Sequence, residues 1–557
     1  MFRHLSRQAI GVIVALVAVV CIPTIRAAEI QGVVKDSSGA PVPGAFVKFK
    51  NAERRLTFMV ISQAQGRYTA DKLPPGKYVV QGVGNGFQSE WSAAVDVAAG
   101  GRPASVNLSL TVPQAAAVTP AWPGRLPEEQ AVALPLPEGA GKELVSARCT
   151  SCHESSRVMA KRADRDAWQH TMSNMRDRIK AAGLPDLTED EAKVVLNYVV
   201  TKIPPGSFPD PNSRLPRTLM KGETTKYRVV QYKLENAEAE THDIAVDPQG
   251  NGWANQVTTG KLGRLDGETL EYREVSPPVT KAERANLGNP QISSAGVIWL
   301  PDGSAERRWL SYDIKMGKWS SYDFPTTIRG GAGGNSMAFA QDGAVWSATT
   351  GAARSFNPAT GEWRSFDSPT WLKTKKSPGG YGIAVAGDGK VWFAENDADQ
   401  MARVDPATGK VDEFKIPVKG HLGSYSQSTA FPRRMATDRD GNVWVGLWLA
   451  GSLMKIDYKT AEMASYMPPS GETSGPYSVS VDKKNNLVWV SLHRVDRLAR
   501  FNPKTREWVE FPLPQAETDV RRIEVDPSNP NRVWFSGVGS FGAEGALMGY
   551  LEVLGGK

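Results

Sequence analysis

The sequence predicts a multidomain, mainly β protein: a small β-sandwich, then a short all-α unit, then a seven-bladed β-propeller. Three observations carry this expectation. Residues 29–112 alternate apolar and polar positions between Gly/Pro turns, the spacing becomes helical from Gly139 to Ile203, and from about Met220 onward the chain repeats itself. At 557 residues the chain is also too long for one hydrophobic core.

Residues 1–27 read as a signal peptide. Arg3, His4 and Arg7 form a basic start, Ile10 to Ile22 an apolar run too short to span a bilayer, and Ile25-Arg26-Ala27 a cleavage context before Ala28. Cys21 lies in this stretch, but Val20 stands where a lipoprotein signal has a small residue. An exported, periplasmic protein without a membrane-spanning segment is expected. Removing Arg3, Arg7 and Arg26 lowers the formal charge from +7 to +4, and no basic run is interleaved with aromatics, which argues against nucleic-acid binding.

In residues 28–112, "IQGVVKDSSGAPVPGAFVKFKN" and "GRYTADKLPPGKYVVQGVGNGFQ" predict short antiparallel strands. The opening at Gly32–Val47 and the "LPPGKY" hairpin at Leu73–Tyr78 resemble the carboxypeptidase regulatory-like domain. That resemblance implies an accessory module of carbohydrate-binding-like fold, a spacer or docking unit first and a glycan binder second. Residues 113–137, rich in Pro and Ala, read as a semi-stiff tether.

Within residues 138–205 the stretch "SARCTSCHESSRVM" holds Cys149 and Cys152, the two cysteines left after export, with His153 directly behind them. Two cysteines alone do not make a disulfide scaffold in so large a chain. Cys-x-x-Cys-His on a helix is the pattern for covalent c-type haem: two thiols one turn apart reach the porphyrin vinyl groups, and the imidazole turns onto the iron. No βαβ pattern supports a thioredoxin-like pair, and no second Cys/His pair completes a zinc site. An all-α monohaem cytochrome c domain with one haem c is therefore expected, serving electron transfer with a periplasmic redox partner protein or a small-molecule substrate. Met159, Met172, Met175 and His170 are the sixth-ligand candidates. The segment resembles the haem domains of the quinohaemoprotein amine dehydrogenase type, in which an Arg follows the motif and a Trp stands seven residues before a Met; Trp168 and Met175 keep that offset, so the resemblance implies Met175, with Met172 next.

Residues 206–557 carry the repeat. Trp253, Trp299, Trp346, Trp392, Trp444, Trp489 and Trp534 recur at intervals of 46, 47, 46, 52, 45 and 45, in short strands that follow turns such as the Asp-Gly of "DRDGNVWVGL". Such repeats are propeller blades, which bury their faces only against neighbours. Stepping back eleven residues from each Trp, or twelve and thirteen in the last two repeats, gives His242, Gly288, Asn335, Tyr381, Arg433, Tyr477 and Arg521. This polar, cationic ring predicts a funnel suited to an anionic or hydroxyl-bearing ligand. Asp388–Glu395 ("DGKVWFAE") and Ala402–Gly409 ("ARVDPATG") resemble the streptogramin (virginiamycin B) lyase propeller. That resemblance implies elimination by a funnel Glu and His near Mg²⁺, for which Glu240 and His242 are the candidates and Glu395 a further acid. It also implies a second funnel His in the adjacent blade, where Arg521 stands instead. Phosphate-binding Gly motifs and a G-x-S-x-G elbow are absent from the sequence.

Overall fold

A computed structural model describes residues 28–115, 136–150, 155–160, 164–181, 185–203, 210–237, 239–420, 428–538 and 545–555. The signal peptide, residues 116–135 of the tether, Cys152 and His153 lie outside the described residues.

The N-terminal sandwich forms because its apolar positions alternate. Ala28–Asp36 pairs antiparallel with Arg67–Leu73, and Phe46–Asn51 lies between Leu56–Ile61 and Gly76–Gly84. Their inward residues, among them Ile30, Val34, Val47, Phe49, Tyr78 and Val80, are fully buried. The "DSSG" turn is held by the Asp36 carboxylate, which accepts from Ser38 N, Ser38 Oγ and Ala40 N.

Seven four-stranded antiparallel blades follow among the described residues. Their inner strands are Thr241–Val246, Gln291–Ile292, Ser336–Phe339, Ile383–Val385, Pro432–Thr437, Pro476–Asp482 and Val520–Val525. The repeated tryptophans all fall on the second strand of a blade and are buried. Two blades show why the turn and the Trp recur together: Asp247 accepts from Asn251 N and from Trp253 Nε1 (2.9 Å), and Asp438 from Asn442 N and Trp444 Nε1 (2.8 Å). One buried carboxylate thus closes the turn and satisfies the indole.

Blade seven is closed by a strand from the other end of the repeat region. Tyr227–Lys233 pairs with Leu547–Val553, from Tyr227↔Val553 to Lys233↔Leu547. Its other edge pairs with Leu56–Ile61 of the sandwich, so one ten-stranded sheet runs from the sandwich into the propeller. The two share a core in which Val47 and Phe49 belong with Val230, Trp534 and Tyr550. An exposed blade edge would be a template for pairing with another chain, and the sandwich covers it. Arg228 straddles the seam, bonded to Glu552 and to Asp71.

The helical segment corrects the expected fold class. Four helices, α1 (Lys142–Cys149), α2 (Ser155–Ala160), α3 (Arg165–Ala181) and α4 (Glu189–Lys202), gather around Val145, Trp168, Val195 and Tyr198. Thr188 and Glu191 form a capping box at the start of α4. These helices are the minor element of a mainly β molecule, and they do not amount to the all-α cytochrome c domain expected over residues 138–205. The physical reason is size: α1 and α2 have 8 and 6 residues, and the cluster buries eight apolar side chains against thirty in the core shared by sandwich and blade seven. Its flanks are nevertheless pinned together, since Gln114 Nε2 donates to Asn212 O (2.8 Å) and Leu215 O (2.9 Å). Beside them, the Arg214 guanidinium enters blade six to meet Asp496, Glu517 and the Arg494 carbonyl.

Candidate functional site: the propeller funnel

Ring residues come from the first positions of successive inner strands, where the backbone is irregular. The pairing register shifts between Thr241 and Ile244, Pro432 and Met435, Pro476 and Val479, and Val520 and Arg522. Such irregularities break strict alternation and re-aim side chains, so that sequence neighbours such as Arg433 and Arg434 both enter the site. Two residues before the ring position, five blades turn through positive φ: Glu240 (49°), Gly379 (92°), Phe431 (53°), Gly475 (63°) and Asp519 (55°). Three of these are not glycine, and a phenylalanine there is a strained position held by its surroundings.

Arg434 is the hub. Its Nη1 donates to Asn335 O (2.6 Å) and Ser336 Oγ (2.8 Å), its Nε to Arg521 O (3.0 Å), and the guanidinium pairs with Asp243. One buried arginine therefore joins blades one, three, five and seven. Burial works against the Asp243 carboxylate, but Arg434 and His242 outweigh it and hold its pKa below the ordinary range. His242 Nδ1 lies 2.9 Å from Asp243 Oδ2. With Asp243 ionised, Nδ1 donates and Nε2 keeps its lone pair, while burial lowers the imidazole pKa against the pull of Asp243.

A second dyad stands beside it, at blades six and seven. Asp519 takes Arg521 bidentately, Nε to Oδ1 (3.0 Å) and Nη2 to Oδ2 (2.8 Å), and also meets His493 Nε2. Burial lowers the His493 pKa, and Arg521 with His493 keeps Asp519 ionised against its own burial. Tyr477 stacks on His493 at 5.1 Å, and its hydroxyl meets that of Tyr381 at 2.5 Å.

Of the ring named from the repeat, His242, Asn335, Tyr381, Arg433, Tyr477 and Arg521 converge through these contacts; Gly288 contributes its carbonyl to Asn255 Nδ2 (3.1 Å). Glu240 shows its backbone, its carbonyl accepting from Val257 N. Glu395 lies in blade four beside Gln400 and Glu413 rather than in the ring, and burial, then Glu413, pushes its pKa up to about 8. Among the described residues no trio of His, Cys, Asp or Glu could hold a metal ion, so the expected Mg²⁺ finds no ligand set there. Sequence reading missed Asp243, Arg434, His493 and Asp519. The signal for the first two was the doublets His242-Asp243 and Arg433-Arg434 at one repeat offset; His493 follows the second strand of blade six, Leu487–Leu492, away from that offset. A separate cleft of about 320 Å³ on blade two, lined by Trp299, Asp313, Lys318 and Tyr322, is remote from this chemistry.

In the helical segment, Cys149 closes α1 and packs with Met159 and Met172 against the cluster of Trp168 and Val145. Burial pushes its thiol up to about 11, which keeps it protonated and disfavours a metal-thiolate or disulfide-exchange role. Met175 instead is 37% exposed, whereas Met172, three residues earlier on roughly the same face of α3, is partly buried against the cluster.

Comparison with known proteins places these parts. The virginiamycin B lyase family model matches residues 291–544, and the carboxypeptidase regulatory-like domain residues 29–111. The lyase match begins at blade two, so Glu240 and His242 lie outside it. A streptogramin B lyase structure is similar over 60% of this chain and 100% of its own, at 19% identity and a TM-score of 0.50, which shows the propeller fold. Virginiamycin B lyase from Staphylococcus aureus is similar at 16% identity over 59% of this chain and 100% of its own, with a TM-score of 0.48. No curated protein matches the chain. No helix among the described residues is long and apolar enough to cross a membrane.

Proposed function

We propose that this is an exported, periplasmic electron-transfer protein carrying one covalent haem on its helical segment, with the propeller as the platform that binds a substrate or redox partner. The observation that carries the reading is the Cys149-Thr150-Ser151-Cys152-His153 run together with the surroundings of its first thiol. Cys149 is a half-buried free thiol at the end of a helix, packed against the same cluster as Met159, Met172 and the Trp168 indole. Trp168 Nε1 is buried with no hydrogen-bond partner, a donor placed for an acceptor such as a propionate. Cys149 and Cys152 would hold the porphyrin and His153 the iron; a bound haem supplies one-electron exchange between ferrous and ferric iron. Met172, turned to the Cys149 cluster, is better placed than Met175 to complete the ligation. The propeller's part is to bind, through a funnel rich in fixed charge. Production in a host with haem-attachment machinery tests the reading: Cys149→Ala/Cys152→Ala should lose all covalent pigment, and a wild-type chain without pigment would refute it.

A second reading is favoured by the His242–Asp243 dyad. With Nδ1 engaged, Nε2 of a neutral His242 could take a proton from the carbon next to a carbonyl; the C–H electrons form the C=C bond and the C–O bond breaks to release the leaving oxygen. The similar virginiamycin B lyase has been seen, as a catalytically inactive variant, with quinupristin. Here Arg521 replaces the second histidine implied by the resemblance, and the metal set is lacking among the described residues. Ester elimination by wild-type protein that disappears in His242→Asn would favour this reading over the first.

A further inference from the structure

The three funnel arginines are not equivalent. Arg434 is neutralised by Asp243 and Arg521 by Asp519, whereas Arg433 makes no ion pair among the described residues. Its Cζ lies 4.1 Å from the ring centroid of Phe431, 4.3 Å from Tyr381, and 4.8 Å from both Trp448 and Tyr477. Rings at that distance hold the guanidinium by cation–π attraction and crowd its faces, leaving hydrogen bonding to its rim. The polar atoms around it are also unsatisfied. Trp448, only 4% exposed, has no partner for Nε1, and neither His493 Nδ1 nor Arg433 Nε has one. Asp397 feels the charge of Arg433, and burial raises its pKa, but no ion pair joins the two among the described residues.

We infer that Arg433 is the anchor of a carboxylate-binding site in the funnel, whose ligand is a small monocarboxylate on a flat, apolar frame. With the other two arginines cancelled, the funnel offers one positive charge, which one carboxylate balances and a phosphate dianion overshoots. The guanidinium rim matches a carboxylate bidentately, with the Tyr381–Tyr477 hydroxyl pair beside it. The aromatic walls suit a planar body rather than a hydrated sugar. The inference rests on the funnel as a binding platform and is independent of the haem.

Isothermal titration of the full chain with benzoate, benzamide and inorganic phosphate tests it, with haem content read from the visible spectrum of the same samples. Benzoate should bind. Its neutral isostere benzamide and phosphate should each bind at least tenfold more weakly, because only the carboxylate both charges and satisfies the rim. Arg433→Gln should abolish benzoate binding and Arg433→Lys weaken it about tenfold, while Asp397→Asn should strengthen it. Benzamide needs no variant, so a misfolded mutant cannot obscure the outcome. No benzoate heat at millimolar concentration, equal binding of benzamide or phosphate, or unchanged affinity in folded Arg433→Gln would overturn the inference. Pigment-free protein that binds benzoate leaves it standing and removes the haem reading alone.

Discussion

The propeller funnel and the helical segment concentrate chemistry in opposite ways. In the funnel each blade gives one or two residues, separated by some 45 positions in sequence, and seven-fold closure brings them together. In the helical segment five consecutive residues hold the proposed chemistry. A distributed site is only as good as the fold that assembles it, so two of its three arginines are paired with carboxylates and coupled to stability: Arg434 alone ties four blades. A compressed site needs one helix and a small cluster to support it, and its residues can change with little consequence for the rest of the molecule.

The contrast can be broken or sharpened by mutation. Asp243→Ala should have the largest effect, since it leaves Arg434 buried without its counter-charge; a loss of about 3–5 kcal/mol, read by chemical denaturation, is expected. A loss below 1 kcal/mol would mean that the blades do not depend on the hub. Glu395→Gln should act in the other direction. A neutral Glu395 carboxyl favours the folded state below the ordinary value near 4.5, and that advantage is lost as pH rises toward its folded value of about 8. The variant should therefore be more stable than wild type by about 4 kcal/mol at pH 8 and close to it at pH 4.5.

Acidification probes the two histidine dyads together. Both imidazole pKa values are lowered in the fold, so the unfolded chain takes up protons first, and stability should fall as pH drops below about 6.5. His242→Asn/His493→Asn should flatten that fall; an unchanged slope would show that the dyads do not titrate with folding. The smallest effects belong to the helical segment. Met172→Ala should cost about 1–2 kcal/mol of local stability by hydrogen exchange, and Met175→Ala, at an exposed position, less than about 0.5. Met172→Ala should also alter the visible spectrum of the pigmented protein while Met175→Ala leaves it unchanged.

Legibility followed the same division. Blades were readable because Trp recurs behind a turn, in two of them with one Asp bonded to both turn and indole, and the repeat register placed Tyr381, Arg433, Tyr477 and Arg521 at the funnel. Their partners were not readable, because Asp243 and Arg434 enter through register shifts that no alternation rule foresees. The fusion of sandwich and propeller was hidden for a different reason: Tyr227–Lys233 reads as any amphipathic strand, and pairing on both edges is decided by partners 170 and 320 residues away, roughly, at Leu56–Ile61 and Leu547–Val553. In the helical segment the motif stood out, but periodicity overstated how much core the helices would build, and the offset from Trp168 selected Met175 where packing turns Met172 inward.

The most direct measurement is of covalent pigment. Protein made in a host with haem-attachment machinery should run on denaturing electrophoresis with haem peroxidase activity on the 557-residue chain's band, keep that colour in acidified acetone, and lose it when Cys149 and Cys152 are replaced. A colourless chain, or pigment extracted by acidified acetone, would contradict the account.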